Sequence, residues 1–319
     1  MPHTHPPALG GPKNKMPATH LIADSCRQRR KKITRWLAVA LYTACLPFVI
    51  LAFRAIEQHF SPQTAGRIPL LILAVLAAGY SWVRIRQKSA AQCIIILAAG
   101  ALIVLGIVKF EDNANKYIHI PEYVIMTWLI YLALIPDYRG NGILLLVFLC
   151  ALMLGVVDEI LQGMHPQRTY GWKDMIIDAA SSLMGILSLL GLDTQPKRTW
   201  VWLKNLKHFK GALGILLIGA AAAVLTGIWL LDVQAQGNFF NAYPQWLLAA
   251  NSGFIGACAA VIIFHRRRRS KFMPAALEMD QNALNNHTTA MLWVMCPLVM
   301  LMCMHALVVW VAMRGIDFR

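Results

Sequence analysis

Charge is what this sequence has least of. Asp, Glu, Lys and Arg make up 14% of its 319 residues, where a soluble domain carries roughly a quarter. With 58% hydrophobic residues and a mean hydropathy of +0.53, so thin a polar surface excludes a water-soluble globular domain. Apolar and polar residues also fail to alternate. The apolar runs are continuous, which argues against a β-barrel and for helices. Cysteine offers no disulfide framework: Cys45, Cys93, Cys150, Cys258, Cys296 and Cys303 fall in apolar runs and Cys26 in an N-terminal tail, so all seven read as small hydrophobes. A cleavable signal peptide is not expected, because the first apolar run begins near residue 35 and lacks a small-x-small exit.

What is present is a series of runs near the 20 or so residues that a helix needs to cross hydrocarbon. They cover about 35–53, 68–83, 90–109, 118–135, 142–163, 174–193, 211–232, 244–264 and 289–313. The pattern predicts an all-α, polytopic transmembrane bundle of about nine helices. Residues 1–34, rich in Pro, His and Gly at their start, read as a disordered basic cytoplasmic tail in which His3 and His5 are solvated. Two N-terminal helices follow within 35–88, then a four-helix core over 89–193. An interfacial segment and a three-helix module fill 194–319.

The net charge of +15 is explained by where the basic residues lie. With the N-terminus in the cytoplasm, 20 Lys and Arg fall in inside segments and 8 in outside ones, the asymmetry of the positive-inside rule. The bias predicts an inner or plasma membrane protein with its N-terminus in and its C-terminus out. The run HRRRRSK at 265–271 directly follows an apolar segment, so it reads as an anchor at an anionic leaflet and not as a nucleic-acid patch. PKRTWVWLKNLKHFK at 196–210 mixes Lys with Trp and Phe, which suits a segment lying at the interface. Membrane lipid is the expected partner, and nucleic acid is not.

This topology sends the polar residues of the core to one side. On the fifth segment Asp158 and Gln162 are four apart and share a helix face, with Glu159 turned about 100° away; Gly155, one turn earlier, lets another helix approach. On the sixth, Asp174, Asp178, Ser181 and Gly185 form a stripe, with Arg168 or Lys173 of the preceding loop as partner for Asp174. At the fourth, His119 and Tyr123 share a face, Pro121 is tolerated in the first turn, and Glu122 points elsewhere. Charges here are expensive in lipid, so their convergence points to an acid/base site, an anion-binding pocket or a structural ion network. A metal held by Asp158, Glu159, His119 and Asp174 has suitable ligand types, but no compact spacing such as HExxH exists, and no metal or other cofactor is assigned. In the last module His305 and Trp310 read as packing residues, and Asn251 with Ser252 as a helix-helix hydrogen bond.

At these residues the sequence resembles the VanZ-like family of bacterial membrane proteins, linked to teicoplanin resistance. The family pattern runs D-K-x-x-H-x-x-x-Y, D-E-x-x-Q, P-x-R and D-x-x-x-N-x-x-G-x-x-x-G. Lys116, His119 and Tyr123 fit the first element, Asp158, Glu159 and Gln162 the second, Pro166 and Arg168 the third, and Asp174 with Gly185 the last, over about 90–193. Asn115 stands at the family's first Asp, with Asp112 a turn earlier as a substitute; Asp178 stands at its Asn and Ser181 at its first Gly. The resemblance implies an envelope factor of glycopeptide-tolerance type that binds or acts on a cell-wall or lipid-linked group. Asp158, Glu159, Asp174 and His119 are then the catalytic candidates, and Lys116, Tyr123, Gln162, Arg168 and Asp178 the substrate-binding ones. A non-catalytic scaffold or permease-like protein, with the same residues as a structural network, is the second reading.

Overall fold

In hydrocarbon a backbone N–H or C=O finds no water, so a chain this apolar closes its hydrogen bonds within helices. The computed structural model describes residues 18–87, 90–165, 168–192, 199–236, 243–276, 281–315 and 318, and no strand forms among them. Their α-helices are α1 Ala18–Cys45, α2 Val49–Glu57, α3 Pro62–Arg86, α4 Ala90–Phe110, α5 His119–Leu134, α6 Ile143–Gly163, α7 Trp172–Leu192, α8 Lys210–Gln236, α9 Gln245–Ala276 and α10 Gln281–Arg314. Seven stretches among the described residues are long and apolar enough to cross a membrane; they involve α3, α4, α5, α6, α8, α9 and α10. Large apolar side chains such as Leu71, Leu102, Leu217 and Met313 stand exposed on the outer faces, where water would disfavour them and lipid does not. The molecule is a multi-pass integral membrane protein.

Two expected segments differ from those seven. The run 35–53 is not one continuous helix: Pro47 lies in a 3-10 turn, Leu46–Phe48, that separates α1 from α2. Of the run 174–193, the described residues to Leu192 are helical, as α7, but Lys173, Asp174 and Asp178 make its first turns polar. It nevertheless packs against α4, α5 and α6 inside the bundle. The expected tail is also shorter than 1–34. Residues 18–34 contain no Gly or Pro and continue α1 as helix, while 1–17, with His3 and His5, lie outside the described residues.

The centre of the bundle is α5, α6 and α7, with α1 laid on α5 and α10 on α6. Tyr123, Met126, Ile130, Leu146, Cys150 and Leu154 belong to one buried apolar cluster there, which reaches Val39 of α1 and Leu292 and Met300 of α10. Val157 and Ile160 of α6 join a second cluster with Leu230, Leu247, Phe254 and Leu298 from the last three helices. The C-terminal helices therefore share their core with α6 instead of standing apart as an added module.

One end of the bundle is tied by polar contacts between distant segments. Lys32 pairs with Asp137 at 2.5 Å, Arg35 donates to the Leu132 carbonyl at 3.0 Å, and the Arg139 amide donates to Thr289 Oγ1 at 2.9 Å. The turn from α5 to α6 passes through Gly140 (φ 136°) and Gly142 (φ 94°), values that L side chains rarely adopt. The interfacial segment packs at this end as a 3-10 helix, Val201–Phe209, with Trp202 and Phe209 buried and Lys204 and Lys207 exposed. Trp202 stacks on Trp293 at 5.2 Å and donates to the Asn141 carbonyl at 3.0 Å.

In the C-terminal helices Thr226 of α8 donates to Asn251 Oδ1 of α9 at 3.3 Å, the expected interhelical hydrogen bond, and Asn251 in turn donates to Tyr243 at 2.6 Å. Ser252 has no part in it: it is exposed and bonds the Leu248 carbonyl of its own helix. His305 is buried and contacts Asn251 and the Gly219 carbonyl, so it both packs and bonds. Trp310 lies on the outer surface, not in the packing.

Candidate functional site

The polar residues meet at the other end of α5, α6 and α7. A 3-10 turn, Ala114–Ile118, feeds α5, and Pro121 sits in the first turn where amides have no intrahelical partner. This places His119 and Tyr123 one turn apart on one face, their rings stacked at 6.3 Å and 13°. From α6 come Asp158, Glu159 and Gln162 of the last turns, and from α7 Asp174 and Asp178 of the first. Gly155 faces Asp178 and Tyr123, but a Cβ there would stand 3.5 Å from both, an ordinary contact, so the expected close approach does not require the glycine. At Gly185 the approach is tighter and belongs to α5: a Cβ there would lie 2.7 Å from Thr127 Cβ.

Asp158, Glu159 and Asp178 are 0%, 0% and 2% exposed, so what each oxygen touches decides its state. Asp158 Oδ2 accepts from Tyr123 at 3.1 Å and from Gln162 at 2.9 Å. Glu159 Oε2 accepts from the Gly171 amide at 3.1 Å, where the loop enters α7. Asp178 Oδ1 lies 2.8 Å from His119 Nδ1. Arg168 donates to Gln162 Oε1 from Nε at 2.9 Å and also from Nη2, which lies 3.3 Å from His119 Nε2. A guanidinium only donates, so Nε2 accepts, and the ring proton is on Nδ1, donated to Asp178. Tyr170, buried in the loop, has its phenol pushed up by burial and then by the negative charge of Glu159.

Each of the three acids thus has one oxygen held by protein donors and one without a hydrogen bond, Asp158 Oδ1, Glu159 Oε1 and Asp178 Oδ2, with the Tyr123 hydroxyl of Asp158 also close to Asp178. An unpartnered buried polar atom costs about 1–3 kcal/mol. One ligand-type atom from each of His119, Asp158, Glu159 and Asp178 lies within 4.8 Å of all the others.

Two expected candidates are engaged with each other. Lys116 Nζ lies 2.5 Å from Asp174 Oδ1, so neither is a free ion, and Asp174 takes its partner from the segment before α5. The loop basic residues go elsewhere: Arg168 to Gln162 and His119, and Lys173 to Glu111 at 3.7 Å. Asp112 is exposed, and the Ser181 hydroxyl bonds the Ile177 carbonyl of its own helix. Pro166 lies outside the described residues.

Glu122 belongs to the cluster, although the helix-face reading turned it away. It is buried, its Oε1 has no protein partner, and it interacts electrostatically with His119, Asp158, Asp178 and Arg168. Its position one residue before Tyr123, at the mouth of an apolar run, was the available signal. An apolar cavity of about 1270 Å³ opens between α3, α4, α5 and α7, lined among others by Leu73, Gly100, Val104, Val124, Trp128 and Met184 and by none of the cluster residues. An acid-rich cluster with one guanidinium and an imidazole has the groups for proton transfer, cation binding or capture of an anionic group beside Arg168. Compared with family models, curated proteins and solved structures, the chain matches none.

Proposed function

We propose that this chain is a VanZ-like protein of the bacterial cell envelope whose polar cluster faces outward and binds or acts on a lipid-linked or cell-wall group. Nine membrane crossings, with the N-terminus inside and the C-terminus outside, go with this reading, α1 with α2 and α7 being the two added to the seven most apolar stretches. The observation that carries the proposal is the meeting of the family-like motif residues in one contact network. Lys116, His119, Tyr123, Asp158, Glu159, Gln162, Arg168 and Asp174 come from five chain segments and converge at one end of the bundle. The apolar cavity lined by α3, α4, α5 and α7 is suited to an acyl or prenyl chain. In this scheme Arg168 holds an anionic group, Asp158, Glu159 and His119 handle protons, and Tyr123 and Gln162 fix Asp158.

The test is glycopeptide susceptibility of a bacterial host expressing the chain. Glu159→Gln and Arg168→Ala are each expected to abolish tolerance with membrane abundance unchanged. Tolerance that survives both changes overturns the proposal; degradation of both, reversed by a charge swap, supports a structural network in a scaffold or permease-like protein instead.

A further inference from the structure

We propose that His119, Asp158, Glu159 and Asp178 form a binding site for one divalent metal ion. The inference does not rest on the function above, since it needs neither an envelope substrate nor a particular orientation in the membrane.

Local spacing gave no reason to expect a metal, because the four residues come from three helices. The fold brings one ligand-type atom of each within 4.8 Å of the rest. Ligands bound at about 2.1 Å to a common ion stand roughly 3 to 4.2 Å apart, so the set closes on an ion with shifts of less than about 1 Å. The 2.8 Å contact of His119 Nδ1 with Asp178 Oδ1 already holds the imidazole against the carboxylate that carries one of the orphaned oxygens.

The independent sign of a ligand is the orphaned oxygens. Asp158 Oδ1, Glu159 Oε1 and Asp178 Oδ2 are buried and without a hydrogen bond. A cation held among these carboxylates supplies the partner that the protein does not. The charge inventory agrees: Glu122, Asp158, Glu159, Asp174 and Asp178 stand against Lys116 and Arg168, and Lys116 is taken by Asp174.

The opposite oxygens already have the supports that orient metal ligands, with Tyr123 and Gln162 on Asp158 and the Gly171 amide on Glu159. A bound ion takes the His119 Nδ1 lone pair, the ring proton moves to Nε2, and Arg168 keeps its bond to Gln162 while leaving the ring. One imidazole with three carboxylates fits Mn²⁺ or Zn²⁺ better than Ca²⁺ or Cu⁺, which prefer oxygen-only and sulfur ligands. Asp174, the acid expected in this set from sequence, is replaced by Asp178 because Lys116 occupies it.

The full-length protein, purified in detergent and stripped with EDTA, is titrated with MnCl₂ or ZnCl₂ and followed by calorimetry and, for Mn²⁺, by electron paramagnetic resonance. One ion per chain is expected, with nitrogen coupling in the Mn²⁺ spectrum that disappears in His119→Gln. Asp178→Asn and Glu159→Gln keep the protein hydrogen bonds and are expected to weaken binding at least about tenfold. Their melting temperatures in EDTA report whether they are folded. The wild-type spectrum alone tests the site should they not be. Absence of stoichiometric binding to the wild type, binding without nitrogen coupling, or binding undiminished in folded Asp178→Asn and Glu159→Gln overturns the proposal.

Discussion

A carboxylate inside an apolar helix persists because of the donors it meets, and the acids of this protein divide on that point. Asp174 has an ammonium at 2.5 Å, with its own side chain 3% exposed and that of Lys116 25%. In a double-mutant cycle with Lys116→Met and Asp174→Asn, read from unfolding in detergent, the coupling is expected at about 1–2 kcal/mol. A fully buried pair loses roughly 3–5 kcal/mol when one partner is removed, and the exposure of Lys116 reduces the figure. Coupling near zero would show that the pair forms without holding the segment before α5 to α7. Asp158, Glu159 and Gln162 were legible in the sequence because a charge in an apolar run is costly enough to need a reason. The partner of Asp174 was not, since it comes from 58 residues earlier and depends on how helices meet. Glu122 was missed because a first-turn acid ordinarily points to water.

At the scale of helices, small residues set how closely the site can close. Ala at Gly185 would put a Cβ 2.7 Å from Thr127 Cβ on a packed neighbour, whereas Ala at Gly155 meets nothing closer than 3.5 Å. Gly185→Ala is expected to destabilise by about 1–3 kcal/mol through overpacking. Gly155→Ala is expected to be neutral or to stabilise slightly, Ala being the better helix former by up to about 1 kcal/mol. Paired melting curves in detergent check both, and equal losses would contradict the packing of α5 on α7. The apolar runs were legible as helices because length and continuity leave no other way to bond the backbone. Helix limits were harder: a run containing Pro47 looks unbroken by composition, and the basic stretch before residue 35 looks like a tail until α1 is seen to continue through it.

For the whole molecule, membrane residence was legible from composition, but the division into core and module was not. The contact of α10 with α6 and the apolar cluster they share tie the C-terminal helices to the helix that carries Asp158 and Glu159. The molecule is therefore expected to melt as one body, so its stability can be set against its function. Residues that serve structure lose both when altered, whereas residues kept for chemistry commonly lie under strain that their removal relieves. The apparent melting temperatures of Asp158→Asn and Glu159→Gln, measured in EDTA against the wild type, apply that contrast to the central claim that the buried acids form a functional site. Each variant is expected to melt at or above the wild-type temperature, because an unpartnered buried charge is removed while its amide can still accept the protein hydrogen bonds. A fall of about 5 °C or more in both, corresponding to roughly 2 kcal/mol, would contradict the claim and make the cluster a structural network.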